Sequence, residues 1–437
     1  MIRLRGVLLV LIAVFGVAMM SARAQMTTPT EALAVREAAQ DRLAYTLPPE
    51  KLKIAKELFR VRATVHFLGE GWAVLQLVLL LGLGVPVRMR DLAENLTKSR
   101  WGQSFIFVFL FLGTITLLNV PLRIYGHSVG LAYGLSVQGW GSWVWDLTKS
   151  FLLTWIVAGL LVMMLFWVIR RSPRHWWFWF WIPTMAAVLF GVFLSPILVD
   201  PLFNKFEPLE QRDPALVAQL ERVVARSGVS LPPDRMFFMR ASQKVTSMNA
   251  YVTGFGPSKR LVLWDTTIAA STPDELAGVF GHELGHYALN HIALGLAFTG
   301  VLLLVAFFVG QNMTQGLLRR CGSRWRIRSQ NDWACLAVLV LNVLSFFSEP
   351  IENGFSRSIE HAADVYGQEA IHGIVADPQA TTRDGFQRLG EASLDDPTPH
   401  SFVDFWTSSH PSTADRAAFA AAYNPWAPGQ HPRYFQP

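Results

Sequence analysis

Six apolar runs limit what this 437-residue chain can fold into. They lie near 67–87, 105–122, 151–169, 176–198, 292–310 and 333–347. A helix needs about 20 predominantly apolar residues to cross the hydrocarbon of a bilayer. In lipid every backbone polar group must be satisfied internally, so such runs are helices rather than lone strands. The last two runs are short or interrupted, which leaves their ends open. With 51% hydrophobic and 16% charged residues and a mean hydropathy of +0.30, the chain does not read as a water-soluble globule. Trp176-Trp177-Phe178-Trp179-Phe180-Trp181 forms an aromatic belt where one span begins.

Arginines set the expected orientation. Arg88, Arg90, Lys98 and Arg100 fall between the first and second runs; Arg170, Arg171 and Arg174 between the third and fourth; Arg319, Arg320, Arg324, Arg326 and Arg328 between the last two. Alternate loops lie on one face, and basic short loops stay in the cytoplasm. The segments around residues 249–291 and 350–364 then share the opposite face. Lys51, Lys53, Lys56, Arg60 and Arg62 pull the other way. At the amino terminus, Arg3 and Arg5 precede an apolar run over 6–20, and Ala22-Arg23-Ala24 follows. That pattern reads as a cleaved signal peptide over 1–24, with a retained first span as the alternative. The net charge of +6 comes mainly from the loop arginines, and no basic–aromatic array suits nucleic acid. Cys321 and Cys335 fall in an inner loop and a span, which argues against a disulfide.

The chemistry concentrates in His282-Glu283-Leu284-Gly285-His286. Histidines four apart on a helix share one face and can hold one metal ion. Thr272-Pro273-Asp274-Glu275 supplies an N-cap, a first-turn proline and a capping-box glutamate, so a helix is predicted from Pro273 to about Asn290. Glu283 can act as general base toward the attacking water. A catalytic zinc takes three protein ligands and keeps one open position. Glu360 supplies the third, and Asp364, one turn on, supports a ligand histidine, with Arg357 in the same charge pattern. His361 points about 100° away from Glu360. His291, five residues past His286, is expected off the ligand face, at the membrane boundary.

Residues 251–253 and 260–264 have strand composition, with Gly254-Phe255-Gly256-Pro257-Ser258 as the turn. A hairpin edge beside a metal helix can take an extended peptide by strand addition. His410 precedes a helix start capped by Ser412 and Asp415. The domain order expected is 25–64 outside the membrane, 65–199 with four spans, 200–291 with the metal helix, 292–349 with two spans, and 350–437 with the third ligand and a catalytic carboxy-terminal segment. The fold class is an all-α membrane protein of six or seven transmembrane helices carrying a small α+β gluzincin-type zinc protease domain.

Together these pieces resemble the integral-membrane zinc proteases typified by the CAAX prenyl endopeptidases of the a-factor-converting type. The resemblance runs from about Tyr45 to Phe419. It rests on Pro201-Leu202-Phe203-Asn204-Lys205-Phe206-Glu207-Pro208-Leu209, on Asn249-Ala250-Tyr251-Val252-Thr253-Gly254 with Lys259-Arg260, on the metal helix with Asn290-His291, on Ser356-Arg357 with Glu360 and Asp364, and on His410-Pro411 with Arg416. The family implies zinc on His282, His286 and Glu360, and Glu283 as general base and later acid. It also implies Asn249 and Ala250 on a substrate-pairing strand, His410 stabilising the oxyanion, and Arg416 supporting that region. Its fold encloses an intramembrane chamber in long helices, mostly seven. The family's first span corresponds here to the run read as a signal peptide.

The leading expectation is therefore a membrane zinc endopeptidase, in a bacterial-type inner membrane, acting at its periplasmic face on extended peptides or on membrane and secreted proteins. A eukaryotic-type CAAX processing protease is one alternative. A catalytically inactive, chaperone-like chamber is another, although intact Glu283 argues against it. A transporter would need broken midplane helices and paired repeats, which the sequence lacks. Oligomeric state is not legible.

Overall fold

The computed structural model describes residues 28–40, 44–254 and 259–435. The signal-peptide reading lies outside them. Among the described residues, six helices are long and apolar enough to cross a membrane: Pro49–Gly82, Arg100–Ala132, Trp140–Arg171, Trp176–Phe203, His291–Cys321 and Gln330–Ala370. In chain order the helices labelled here are α1 (Pro29–Ala38), α2 (Pro49–Gly82), α3 (Val85–Leu96), α4 (Arg100–Ala132), α5 (Trp140–Arg171), α6 (Trp176–Leu194), α7 (Pro214–Ser227), α8 (Pro273–Ala288), α9 (His291–Cys321), α10 (Gln330–Ala370), α11 (Pro378–Ser393), α12 (Ser401–Thr407) and α13 (Thr413–Ala422).

The spans outrun their apolar cores, because a helix continues past lipid wherever neighbours pack on its polar ends. The first is displaced from its expected end. It stops at Gly82, and Gly84, at φ 67°, turns the chain so that Val85 and Pro86 open α3 instead. Pro196 lacks an N–H, and the fourth span loosens there into a π-turn over Ser195–Val199. The last run continues without a break into the polar helix that carries Glu360, so α10 reaches 41 residues.

The basic loops gather at one end of the bundle. Buried Arg90 donates to buried Asp332 over 2.6 Å, and Asp332 in turn caps the start of α10 through the Arg328 and Ser329 amides. Gln311 reaches the Arg174 carbonyl at 3.2 Å, and Ser104 lies 3.3 Å from Asn331. At the other end, Lys244 ties Asp146 of α5 to the sheet-bearing segment at 2.5 Å, and Ser136 bridges Val245. Cys321 and Cys335 are both free.

The sheet has order β1-β2-β4-β3, from Phe206–Pro208, Met236–Met239, Arg260–Trp264 and Ala250–Thr253. β2 runs parallel to β4; the other pairings are antiparallel. The β3–β4 hairpin matches the sequence reading, while β1 and β2 are additions. Leu216 and Leu220 of α7, Leu261 and Leu263 of β4, and Phe280 and Leu284 of α8 build the core beneath the sheet. Phe280 is fully buried; truncating such a side chain to alanine costs about 3–5 kcal/mol.

Candidate active site

Helix α8 starts with the capping box read from the sequence. The Thr272 amide donates to Glu275 Oε2 at 2.8 Å, and the Glu275 amide donates to Thr272 Oγ1 at 3.3 Å. Its glycines face α10. A Cβ on Gly281 would stand 3.0 Å from the Gly367 carbonyl oxygen, and one on Gly285 3.1 Å from Tyr366. A Cβ on Gly367 would stand 2.6 Å from the His282 amide nitrogen. The two helices thus cross backbone to backbone, which brings the α8 histidines against the α10 carboxylates.

The result is a cluster in which ligand atoms of His282, His286 and Glu360 lie within 4.8 Å of one another. His282 Nε2 is 3.2 Å from His286 Nε2 and 3.2 Å from Glu360 Oε2; His286 Nε2 is 3.6 Å from Glu360 Oε1. Two ligands held about 2.0–2.1 Å from a tetrahedral centre stand roughly 3.3 Å apart, so this spacing fits one zinc ion. The donor set fits as well. Two imidazoles and one carboxylate leave a fourth position open, and Glu360 Oε2 is buried without a hydrogen bond.

Asp364 Oδ1 lies 2.8 Å from His282 Nδ1. Arg416 of α13 backs Asp364 with two bonds, Nε to Oδ2 at 2.9 Å and Nη2 to Oδ1 at 2.6 Å, and its guanidinium lies over Phe386. Burial alone would lower the His282 pKa, but Asp364 and Glu360 outweigh it and raise the group to about 10. Burial and the His282 charge push His286 down to about 3. Burial, aided by Glu360, lifts Glu283 to about 7 against the charge of His282 and a backbone bond from Val252. Half-exposed His410 places Nε2 3.4 Å from Glu360 Oε2 and Nδ1 3.0 Å from Ser409 Oγ.

β3 is an outer strand. The Trp264 amide donates to the Asn249 carbonyl, so in this register the Asn249 carbonyl and the Tyr251 backbone groups face β4, while the Thr253 carbonyl accepts from the Tyr287 hydroxyl. Ala250 therefore turns its backbone groups to the free edge, as Val252 does its carbonyl, while the Val252 amide is taken by Glu283. The Asn249 amide is also taken, by Thr267 Oγ1 at 2.8 Å. Of the expected pair, Ala250 is free to pair through its backbone, and Asn249 offers only its side chain. Both line a cavity of ≈ 500 Å³ that also touches His282, Glu283, His410 and Arg416.

One expectation needs correction. Arg357 does not reach the cluster; its Nη1 donates to the Ser408 carbonyl at 2.5 Å and holds the segment before His410. Arg416, expected to support the region of His410, grips Asp364 and lines the same cavity as His410. His291, expected off the ligand face at the membrane boundary, stays outside the ligand set and opens a span, but its contact with His286 was not foreseen. It is buried, and its Nδ1 sits 3.0 Å from His286 Nδ1. The missed signal is Asn290, a residue type that tolerates the left-handed region it occupies at φ 55°. His361 packs on Phe419, away from the cluster.

Six spanning helices joined to a two-histidine, one-glutamate cluster with a glutamate beside it define a membrane-embedded metalloprotease. A model of the CAAX prenyl protease N-terminal region with five membrane helices matches residues 32–205, and peptidase family M48 matches residues 210–424. This chain belongs to peptidase family M48. It is 32% identical over 376 residues to the uncharacterized metalloprotease YhfN of Bacillus subtilis, covering 86% of each chain. It is 30% identical to CAAX prenyl protease 1 of Saccharomyces cerevisiae over 217 residues, 49% of this chain and 46% of that one. The crystal structure of Ste24p from S. mikatae shares the fold, with a TM-score of 0.71 over 95% of this chain and 98% of that chain, at 22% identity.

Proposed function

We propose that this protein is a zinc endopeptidase that cuts extended segments of peptides, membrane proteins or secreted proteins at the periplasmic face of a bacterial-type inner membrane. The observation that carries the reading is the ligand spacing of His282, His286 and Glu360 beside a free strand edge. Zinc at this position would supply Lewis acidity, polarising the scissile carbonyl and acidifying the attacking water. A substrate strand pairs with the Ala250 backbone groups and the Val252 carbonyl, which fixes its own carbonyl over the cluster. Glu283 takes the water proton and returns it to the leaving amine; a pKa of about 7 suits both transfers. His410 stands over the same opening and donates toward the developing oxyanion. Asp364 and Arg416 hold His282 in place. The arginine-rich loops at the far end of the bundle support the periplasmic placement.

The test is mass spectrometry of peptides cleaved by the purified full-length protein, with Glu283→Gln as control. Wild type should carry about one zinc per chain. Glu283→Gln should keep the zinc and lose about 10²–10⁴-fold in turnover. Near-normal cleavage by that variant rejects the assignment of the base.

A further inference from the structure

The α8 imidazoles turn their Nε2 atoms toward each other and toward Glu360, so their Nδ1 atoms face outward. Each outward nitrogen meets a different group. His282 Nδ1 meets Asp364, at 2.8 Å. His286 Nδ1 meets His291 Nδ1, at 3.0 Å, with ring centroids 5.0 Å apart and planes at 73°. We propose that His291 is the positioning residue of His286: its Nδ1 accepts the proton of His286 Nδ1–H, which leaves the His286 Nε2 lone pair free for the metal. This rests on the zinc reading above.

The direction of that bond follows from the surroundings. Two imidazole nitrogens 3.0 Å apart need one donor and one acceptor. If His286 accepted at Nδ1, its proton would sit on Nε2, where it would point into the space between His282 and Glu360 and exclude a cation. Only the tautomer with the proton on Nδ1 suits a ligand. His291 must then be unprotonated at Nδ1 and carry its own proton on Nε2.

The chain builds this contact by breaking a helix. On a continuous helix a residue five positions on is rotated by about 140° from its reference, which would carry His291 away from His286. Instead α8 ends at Ala288, Asn290 takes φ 55° and ψ 35°, and His291 opens α9 in a new direction. His291 is 6% exposed, so its ring is held mainly by its neighbours. The two ligands are thus held unlike one another. His282 leans on a carboxylate that is itself gripped by Arg416, whereas His286 leans on a neutral ring.

The test compares wild type, His291→Leu and His291→Asn as full-length protein in detergent. Zinc affinity is measured by chelator competition, and zinc-free stability by thermal melting. Asparagine can place Oδ1 near the lost Nδ1 and still accept; leucine fills the space without an acceptor. Loss of such an outer partner costs about 10–100-fold in metal affinity. His291→Leu should show that loss, and His291→Asn should recover most of it, with the zinc-free forms melting alike. Wild-type affinity in His291→Leu overturns the proposal. So does an asparagine variant as weak as leucine, because lost packing would then explain both. A wild-type protein that binds no zinc overturns the metal reading itself, and that outcome is distinct from either.

Discussion

Replacing Arg416 with methionine keeps most of the side-chain volume and removes the guanidinium. Asp364 is then left with its side chain 5% exposed and without the two bonds of 2.9 and 2.6 Å that neutralise it. Breaking one partner out of a buried pair typically costs about 3–5 kcal/mol, because the remaining charge has no compensation. The uncompensated carboxylate still touches His282 Nδ1 and will hold the imidazolium form more tightly, so zinc must displace a more firmly bound proton. Zinc affinity should fall about 10–100-fold, or roughly 1.4–2.7 kcal/mol. Melting of the zinc-free protein and chelator competition read the two effects separately. Asp364→Asn combined with Arg416→Met removes both charges and should recover much of the melting loss, since neutral pairs avoid the desolvation penalty. If the double variant melts as low as Arg416→Met, the cost came from lost packing on Phe386. If Arg416→Met melts and binds zinc like wild type, the chain of support from α13 to the metal cluster is wrong.

Gly367→Ala should weaken zinc binding and lower the melting temperature, because its Cβ would fall 2.6 Å from the His282 amide nitrogen and push α8 off α10; unchanged zinc content would show that the crossing has slack. Zinc affinity should rise about tenfold per pH unit between pH 7.5 and 9, since His282, raised to about 10, keeps its proton through that range and must lose it to become a ligand; a flat profile would contradict the raised pKa. In a background lacking Cys321 and Cys335, Gln211→Cys should react with a membrane-impermeant thiol reagent in intact spheroplasts and Ser323→Cys only after lysis. The reverse pattern would place the cluster in the cytoplasm.

The features legible in the sequence share one property: each is set within a turn or two of chain. The α8 start, the i,i+4 histidines, the Glu360–Asp364 pair and the β3–β4 hairpin depend on neighbours in sequence, and the structure places each at or near its expected position. The misread features depend on distant partners or on one unusual dihedral. Arg357 looked like part of a local charge pattern, yet its acceptors are the Phe405 and Ser408 carbonyls. The contact of His291 with His286 was missed because it depends on the left-handed turn at Asn290. The β1 and β2 strands are three and four residues long and carry too little pattern to stand out. The 333–347 run looked short because its continuation is polar and contains Pro350, so the apolar pattern ends well before the helix does.

That uninterrupted α10 also acts as a measuring rod. It is capped among the basic loops at Ser329 and carries Glu360 thirty residues beyond Gln330, a rise of about 45 Å at 1.5 Å per residue. The hydrocarbon of a bilayer is about 30 Å thick. A continuous helix anchored at one surface, even with Pro350 inside it, limits how far the cutting point can stand from that surface. For a substrate tethered in the same bilayer, the distance of a bond from the membrane would then count alongside the side chains around it. Such an enzyme would cut unrelated sequences at a common depth.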